Sequence, residues 1–392
     1  MEREGVLIAF SEIGLRTKRV RRRLLRLLTK NIEYALKWKG LKYNELSTSW
    51  NRILVYTKEN NAAELLSHIP GVRFTAYCHI IPGEPDVDKL SYLVAERLAP
   101  QLEGKTFKVE THRRKKDLPY ESLQISSLIG RRILEECGRR GITTKVKMTR
   151  PDIRAFVEVD KEHSLFYSKR YEGEGGYPIG AQGPMVSLFS GGTDSAVASW
   201  LVMTRGVRIY PLFIDQSPFV GCCNLVKAVD VLLALRDFVL YPNLNLAVSK
   251  VGKIMEKIVE RANKRYICVL CKRLMYKVAT HYARGVEAKG IVTGESIGQV
   301  ASQTVDNLYV LSQATHLPLY RPLAGFSKER IHEIAKRIDV YKTAAVDMGY
   351  CDILPNKPAT RSDLATIEGE EEKIDIEEDI KQAVMKIEMI KL

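Results

Sequence analysis

The 392-residue chain contains no run of about 18 uncharged apolar residues, and its best stretch, Ala196–Met203, is far too short to cross a bilayer. It opens Met1-Glu-Arg-Glu and passes straight into a strand-like apolar run, which is not the pattern of a secretory signal peptide. Cysteine is sparse and odd in number, seven residues with Cys222 and Cys223 adjacent, so a disulfide framework is excluded. There is no internal repeat and no Walker-type G-x-x-x-x-G-K-S/T loop. These absences point to a cytoplasmic protein with no membrane partner, whose few cysteines are expected to be buried, metal-bound or catalytic.

Apolar residues make up 45% and charged residues 28%, ample for packed cores and incompatible with general disorder. Sixty-one Lys and Arg stand against forty-seven Asp and Glu, a net charge of +14, and the excess is uneven. Residues 1–40 carry +7 and residues 105–155 carry +8, whereas residues 366–392 carry −5. Two basic regions of this size favour a polyanionic partner, because each phosphate neutralised releases counterions. Charge alone does not choose among RNA, DNA and anionic lipid.

Periodicity divides the chain. Gly5–Phe10 reads as a strand, followed by an Arg-rich helix over 18–39 with Val20, Leu24, Leu27, Leu28, Ile32 and Ala35 at helical spacing. Strands at 52–57 and 72–80 flank a short helix at 62–69, a ferredoxin-like α+β pattern. A second mixed unit follows, with helices near 87–98 and 122–139 and strands at 107–111, 145–148 and 155–159. The Gly-rich stretch 172–183 is expected to be a linker. Beyond it, strand–helix alternation from Met185 to Thr293 predicts a doubly wound parallel sheet. The expected domains are therefore 1–66 (ferredoxin-like), 67–171 (second α+β unit), 184–362 (doubly wound) and an acidic, partly disordered tail, 363–392.

Ser190-Gly-Gly-Thr-Asp-Ser195 follows an apolar strand and opens an apolar helix. Two glycines let backbone N–H groups converge on a phosphate, the helix N-terminus adds a positive end, and the serines add hydroxyls. This string resembles the PP-loop of ATP pyrophosphatases. Thr293-Gly-Glu-Ser-Ile-Gly-Gln-Val-Ala-Ser-Gln-Thr304, read alone, is another strand-to-helix loop. Together with Leu319-Tyr-Arg-Pro-Leu-Ala-Gly325 and the PP-loop, it resembles the tRNA 4-thiouridine synthetase family. Arg113-Arg-Lys-Lys-Asp-Leu-Pro-Tyr-Glu-Ser122, Gly130 and Arg150-Pro-Asp-Ile-Arg-Ala-Phe-Val-Glu158 look like a THUMP domain, an RNA-binding module, preceded by that family's ferredoxin-like domain.

The resemblance implies ATP and Mg2+, adenylation of uridine 8 of tRNA at O4, and replacement of that oxygen by sulfur. It implies tRNA, held through the acceptor region, as partner, a sulfur donor (sulfide or a cysteine desulfurase), and a homodimer. It assigns ATP contacts to Leu188, Phe189, Ser190, Gly191, Gly192, Asp194, Ser195, Phe213, Ile214, Arg273, Gly294 and Gln303, although Phe213 and Ile214 suit a strand core equally well. Asp194 and Cys351 become the expected catalytic residues, and Arg113, Arg114, Lys115 and Lys116 the expected tRNA contacts. Sulfur supply for the thiazole of thiamine and a non-catalytic tRNA-binding role are the alternatives.

Cys268-Val-Leu-Cys271 and Cys351 offer three soft thiolate ligands. The family's single-cysteine form has no C-x-x-C and usually carries a C-terminal rhodanese-like domain, for which the acidic stretch after Arg361 is too short. Three readings stay open: a [4Fe–4S] or [3Fe–4S] cluster on Cys268, Cys271 and Cys351; a redox-active or persulfide-bearing pair; and zinc, with His281, Cys222 or Cys223 as fourth ligand. Lys272 and Arg273 are expected to lower the neighbouring thiol pKa values. Cys78 and Cys137 are expected to be core thiols.

Overall fold

A computed structural model describes residues 2–10, 12–48, 52–114, 119–221, 223–347, 349 and 351–392. The chain divides into two compact units, Met1–Thr17 with Ile32–Gly175, and Lys18–Asn31 with Gly176–Leu392. Among the described residues no helix is long and apolar enough to cross a membrane.

The first unit is built on β1 (Arg3–Ala9), α1 (Lys18–Trp38), β2 (Glu45–Thr48), β3 (Arg52–Tyr56), α2 (Ala62–Ser67), β4 (Phe74–Pro82), α3 (Val87–Leu98), β5 (Thr106–Arg113), α4 (Ser122–Arg139), β6 (Lys145–Val146), β7 (Ile153–Val159), β8 (His163–Tyr167) and β9 (Tyr171–Glu172). The first two-thirds of α1, Lys18–Asn31, groups with the second unit. The strands form one sheet in the order β2-β3-β1-β4-β8-β7-β5-β6, with β9 paired to β4. β1 is antiparallel to both neighbours, and Val6, Leu7 and Ile8 are fully buried, which is why it reads as a continuous apolar run. α3 and α4 bury Leu90, Leu98, Ile125, Ile129 and Ile133 with Phe107 and Val157 of the sheet.

The expected boundary at 66/67 is corrected. It falls inside α2, and β4, beyond it, pairs with β1 over seven residues, from Arg3↔Ile80 to Ala9↔Phe74. The ferredoxin-like portion needs β4 to complete its sheet, and β4 then continues into β8 without a gap.

The second unit contains β10 (Met185–Leu188), α5 (Thr193–Thr204), β11 (Ile209–Asp215), α6 (Cys223–Val239), β12 (Leu246–Lys250), α7 (Gly252–Arg261), α8 (Ile267–Gly285), β13 (Ile291–Val292), α9 (Val305–Ser312), β14 (Leu319–Tyr320), α10 (Lys328–Arg337), α11 (Tyr341–Ala344), α12 (Leu364–Ile374), α13 (Glu377–Met385) and β15 (Glu388–Ile390). The sheet order is β14-β13-β10-β11-β12-β15, parallel except for β15. Successive strand residues face opposite layers. Leu246 and Val248 join the core made with α5, α6 and α10, whereas Ala247 between them joins the core made with α7, α8 and the C-terminal helices. The doubly wound expectation holds, with an antiparallel edge.

Two further expectations are corrected. The acidic tail is folded: β15 pairs with β12, and Ile367, Ile374 and Ile380 of α12 and α13 are fully buried. Its carboxylates meet basic residues of α7 and α8, including Lys257–Asp379 at 2.6 Å and Arg273–Glu371 at 2.8 Å. The stretch 172–183 is not a free linker either. Tyr177 and Ile179 are buried, and the Tyr177 and Gly180 amides donate to the Thr204 and Gly206 carbonyls.

Candidate nucleotide and thiol site

β10 lies between β11 and β13, so the strand order reverses at it while the strands stay parallel, and the carboxyl ends of these strands open a crevice there. The 190–195 loop fills that position. Gly191 has φ +76°, and a Cβ there would come within 2.6 Å of the Ala228 Cα, so only glycine lets the loop pack on α6. Gly192 precedes the first turn of α5, where Thr193, Asp194 and Ser195 surround the helix N-terminus. The Gly192 amide donates to Ser190 Oγ at 3.3 Å, and Ser195 Oγ donates to the Gly192 carbonyl at 3.0 Å. Hydroxyls and helix-terminal amides held this way suit an anionic phosphate chain.

Gly294 closes the site from β13. A Cβ on it would sit 2.7 Å from the Asp194 carbonyl carbon and 2.8 Å from the Ser195 nitrogen, so the two loops touch backbone to backbone. Gln303 is buried, and its Oε1 accepts from the Ser296 amide at 3.2 Å, bracing the loop from within. Gln299 of the same loop instead reaches Asp194 Oδ2, at 3.0 Å. Lys328, at the start of α10, holds both Asp194 oxygens, at 2.9 and 3.2 Å. Sequence reasoning missed Lys328. Its only local sign is the Ser327 N-cap, and 134 positions separate it from Asp194.

An apolar pocket beside the loop is lined by Leu188, Phe189, Ser190, Phe213, Ile214, Gln216 and Met275. Phe189 and Phe213 also belong to the core, and Ile214 is half-buried. Arg273 is not among these residues. Its guanidinium, 2% exposed, grips Glu371 through Nε at 2.9 Å and Nη2 at 2.8 Å, and donates to the Val310 carbonyl. The side chain of Arg273, an expected ATP contact, is thus committed to Glu371 and Val310. Consecutive helical residues point about 100° apart, and Lys272 is the one facing the Gly294 loop, with Nζ 3.0 Å from Glu295 Oε1.

Cys268 and Cys271 lie one turn apart on α8. The Cys271 thiol donates to Gln216 Oε1 at 3.3 Å, in the wall of the pocket. The Cys351 segment is fastened to the same loop, through the Asp352 amide and the Phe219 carbonyl at 3.1 Å. Burial first, then the neighbouring Cys351 and Cys268 sulfurs, push the Cys271 thiol up to about 12. Burial and Cys351 likewise raise Cys268. The expected lowering by Lys272 and Arg273 is thus corrected: Lys272 is paired with Glu295, Arg273 faces away, and desolvation wins. Thiols raised by burial beside other sulfurs are ones a bound cation would stabilise as thiolates. Among the described residues, however, no three His, Cys, Asp or Glu side chains are arranged to hold a metal ion.

His281 faces Arg284, Glu377, Lys381 and His316, so it offers no fourth ligand beside the cysteines, and Cys223 is exposed at the start of α6. Cys222 lies outside the described residues. Cys78 and Cys137 are core thiols, as expected. In the first unit Arg113 donates to the Tyr120 carbonyl at 2.9 Å, and Arg114 Nε to Glu158 Oε2 at 2.9 Å. Lys115 and Lys116 lie outside the described residues.

Fold and site together define an α/β nucleotide-binding enzyme of PP-loop type joined to an α+β unit of THUMP type. The family described as thiamine biosynthesis protein (ThiI) matches residues 180–376, the THUMP domain residues 84–169, and the ThiI ferredoxin-like domain residues 5–75. A probable tRNA sulfurtransferase of Methanosarcina acetivorans is 32% identical over 390 residues, covering 99% of this chain and 93% of that one. Its namesake in Thermococcus kodakarensis is 33% identical over 363 residues, covering 91% and 93%. A crystal structure of a 4-thiouridine synthetase–RNA complex with bound ATP superposes with a TM-score of 0.86 at 30% identity, covering 99% of this chain and 100% of that one. The chain belongs to the ThiI family of tRNA sulfurtransferases.

Proposed function

We propose that this enzyme activates uridine 8 of tRNA by adenylation at O4 and replaces that oxygen with sulfur, giving 4-thiouridine. The observation that carries the reading is a shared wall. Gln216 lines the pocket beside the PP-loop and accepts a hydrogen bond from Cys271. Adenylation and sulfur delivery must act on one C–O unit of one base, so phosphate and thiol chemistry have to meet within a few ångströms.

In this reading ATP lies with its phosphates on residues 190–195 and its base against Phe213 and Ile214. O4 attacks the α-phosphorus, and pyrophosphate leaves toward the α5 N-terminus. Asp194 would hold Mg2+, which supplies charge neutralisation on the phosphates, and Lys328, freed from Asp194, moves to the phosphate oxygens. Sulfur then adds at C4 and AMP departs, with Cys351 at the site of delivery. Cys268, Cys271 and Cys351 are the residues that would hold an iron–sulfur cluster, their soft sulfur donors suiting such a group. When bound, it supplies an iron able to carry sulfide. Arg113, Lys115 and Lys116 are the tRNA contacts, with Arg114 beside them matched inside the protein by Glu158; the sulfur donor is sulfide or a cysteine desulfurase, and the enzyme works as a cytoplasmic homodimer.

The test supplies ATP, sulfide and tRNA from cells lacking the gene, and measures pyrophosphate and 4-thiouridine together. Both are expected to appear in wild type, and Cys351→Ala is expected to release pyrophosphate without forming the thionucleoside. Pyrophosphate release indifferent to tRNA, with position 8 unmodified, overturns the reading. It would shift weight to the thiamine role that the family's description carries.

A further inference from the structure

Glu295 is 5% exposed, and four donors converge on its carboxylate. Tyr276 donates to Oε2 at 2.5 Å, Arg321 Nε to Oε2 at 2.8 Å, Lys272 to Oε1 at 3.0 Å and Thr293 to Oε2 at 3.2 Å. Arg321 is itself fixed by Ser312 Oγ at 3.0 Å. These partners come from three places: α8, the end of β13, and the residue following β14. Burial alone would push the Glu295 carboxyl up, but Lys272, Tyr276 and Arg321 hold it below the ordinary range, so it stands as a carboxylate.

Position gives this cluster its meaning. Glu295 directly follows Gly294, whose backbone rests on Asp194 and Ser195. Lys272 directly follows Cys271, and Tyr276 lies just over one turn further along the same helix. The carboxylate is therefore the polar link between the loop that touches the nucleotide loop and the helix that carries two of the three thiols. A tie made only for stability would not need to join these two segments, and an apolar cluster would do as well or better.

We infer that Glu295 is a positioning residue, setting the register of the cysteine helix against the nucleotide loop so that base activation and sulfur delivery occur at one geometry. The inference rests on the function proposed above and adds a residue to it. Glu295 touches neither the reacting atoms nor the thiols, so its loss should separate the two half-reactions instead of slowing both. Misplacement by about 1 Å can cost on the order of 100-fold in rate. Pyrophosphate release needs only the nucleotide loop and the base, whereas sulfur transfer needs the helix as well.

The experiment compares wild type, Glu295→Gln and Tyr276→Phe. Glu295→Gln keeps the shape and removes the charge. Tyr276→Phe removes a single hydrogen bond, and decides the matter if Glu295→Gln fails to fold. The first readout is the ratio of 4-thiouridine formed to pyrophosphate released. It is expected to fall roughly tenfold or more in both variants while pyrophosphate release stays within about twofold. The second uses metal-free protein and measures iodoacetamide labelling of Cys268 and Cys271 with and without a non-hydrolysable ATP analogue. The analogue is expected to alter labelling in wild type and to have no effect in the variants. An unchanged ratio, or a proportional fall in both products, overturns the inference, as does analogue-sensitive labelling that survives in both variants. A wild type that releases no pyrophosphate with tRNA sinks the proposed reaction instead, while the labelling comparison still tests the tie.

Discussion

In the first unit Glu158, 2% exposed, accepts hydrogen bonds from Arg52 at 3.1 Å, Arg114 at 2.9 Å and Tyr167 at 3.0 Å. In the second, Glu295 accepts from Arg321, Lys272, Tyr276 and Thr293. Both are buried carboxylates with two cations and a tyrosine, yet their partners are differently placed. Glu158 of β7 gathers residues of β3 and β8 and the residue just past β5, all in one sheet. Arg170 extends the cluster, donating to Tyr167 and stacking 3.6 Å from the Phe156 ring centroid. Glu295 gathers a helix and two loop segments around a nucleotide crevice. The same chemistry serves cohesion of a sheet in one case and registration of a site in the other, so removing each should be felt in a different measurement.

The largest effect that separates the units is expected at Asp194. Asp194→Ala removes the partner of Lys328 and Gln299 and the proposed Mg2+ ligand, forfeiting several kcal/mol of transition-state stabilisation. Pyrophosphate release should drop to background in a tRNA-dependent assay, with tRNA affinity and melting temperature near wild type. Native rates of release would remove the nucleotide loop from the reaction.

Glu158→Ala should show the reverse. It leaves two guanidinium groups without their buried partner, a kind of change that costs about 3–5 kcal/mol. We place it near 3, because the Arg52 and Arg114 side chains keep 15% and 28% of their exposure and can recruit water. Chemical denaturation should register the loss as a lower midpoint with unchanged slope. An unshifted midpoint would mean that the cluster is not a stabilising tie.

How far these features could be read from sequence depended on whether their cause was local. The PP-loop was legible because glycine, hydroxyl and helix start sit in six consecutive residues, and the parallel sheet because apolar strands alternate with helices. The partner of Arg273 was not legible because adjacency in sequence says nothing of which way a helical side chain turns; one position separates the residue on Glu371 from the residue on Glu295. The tail was misread because its charge suggested a solvated segment. Its isoleucines instead are buried, Ile367 and Ile374 on α12 and Ile380 on α13, and its carboxylates find their counter-ions on α7 and α8, more than 90 residues away. The meeting of Cys351 with Cys268 and Cys271 is long-range in the same sense, and so is the contact between Lys328 and Asp194. No spacing rule reaches across 80 or 134 positions.

Acid offers a smaller test of the first unit. Burial pushes the Glu158 carboxyl up, but Arg52 and Arg114 outweigh it and hold the group below its ordinary value of 4.5. A carboxylate depressed on folding contributes stability that is fully present above its unfolded pKa and is lost as pH falls through the lower folded one. Denaturation midpoints should therefore be flat from pH 7 to about 5 and fall below pH 4.5. Glu158→Gln should have a lower plateau and a shallower acid limb. An acid limb identical in the two proteins would show that other carboxylates carry it.

The smallest expected effect concerns salt, and it decides whether the Glu158 cluster is also an RNA site. A cation that meets a nucleic-acid phosphate releases bound counterions, and each such contact contributes about 0.7–0.9 to the log–log dependence of affinity on salt. Arg114 already faces a buried carboxylate, so much of its charge is matched inside the protein. Arg113 bonds a backbone carbonyl instead, and Lys115 and Lys116 follow it in the chain. Neutralising Arg113, Lys115 and Lys116 together should flatten the tRNA-binding slope by roughly two units with little change in melting temperature. Arg114→Ala should leave the slope nearly intact and lower the melting temperature, because it exposes Glu158 to the loss of a partner. If Arg114→Ala flattens the slope as much as any of its neighbours and leaves melting untouched, Glu158 is the counter-ion of a phosphate-binding arginine and the contrast between the two carboxylates fails.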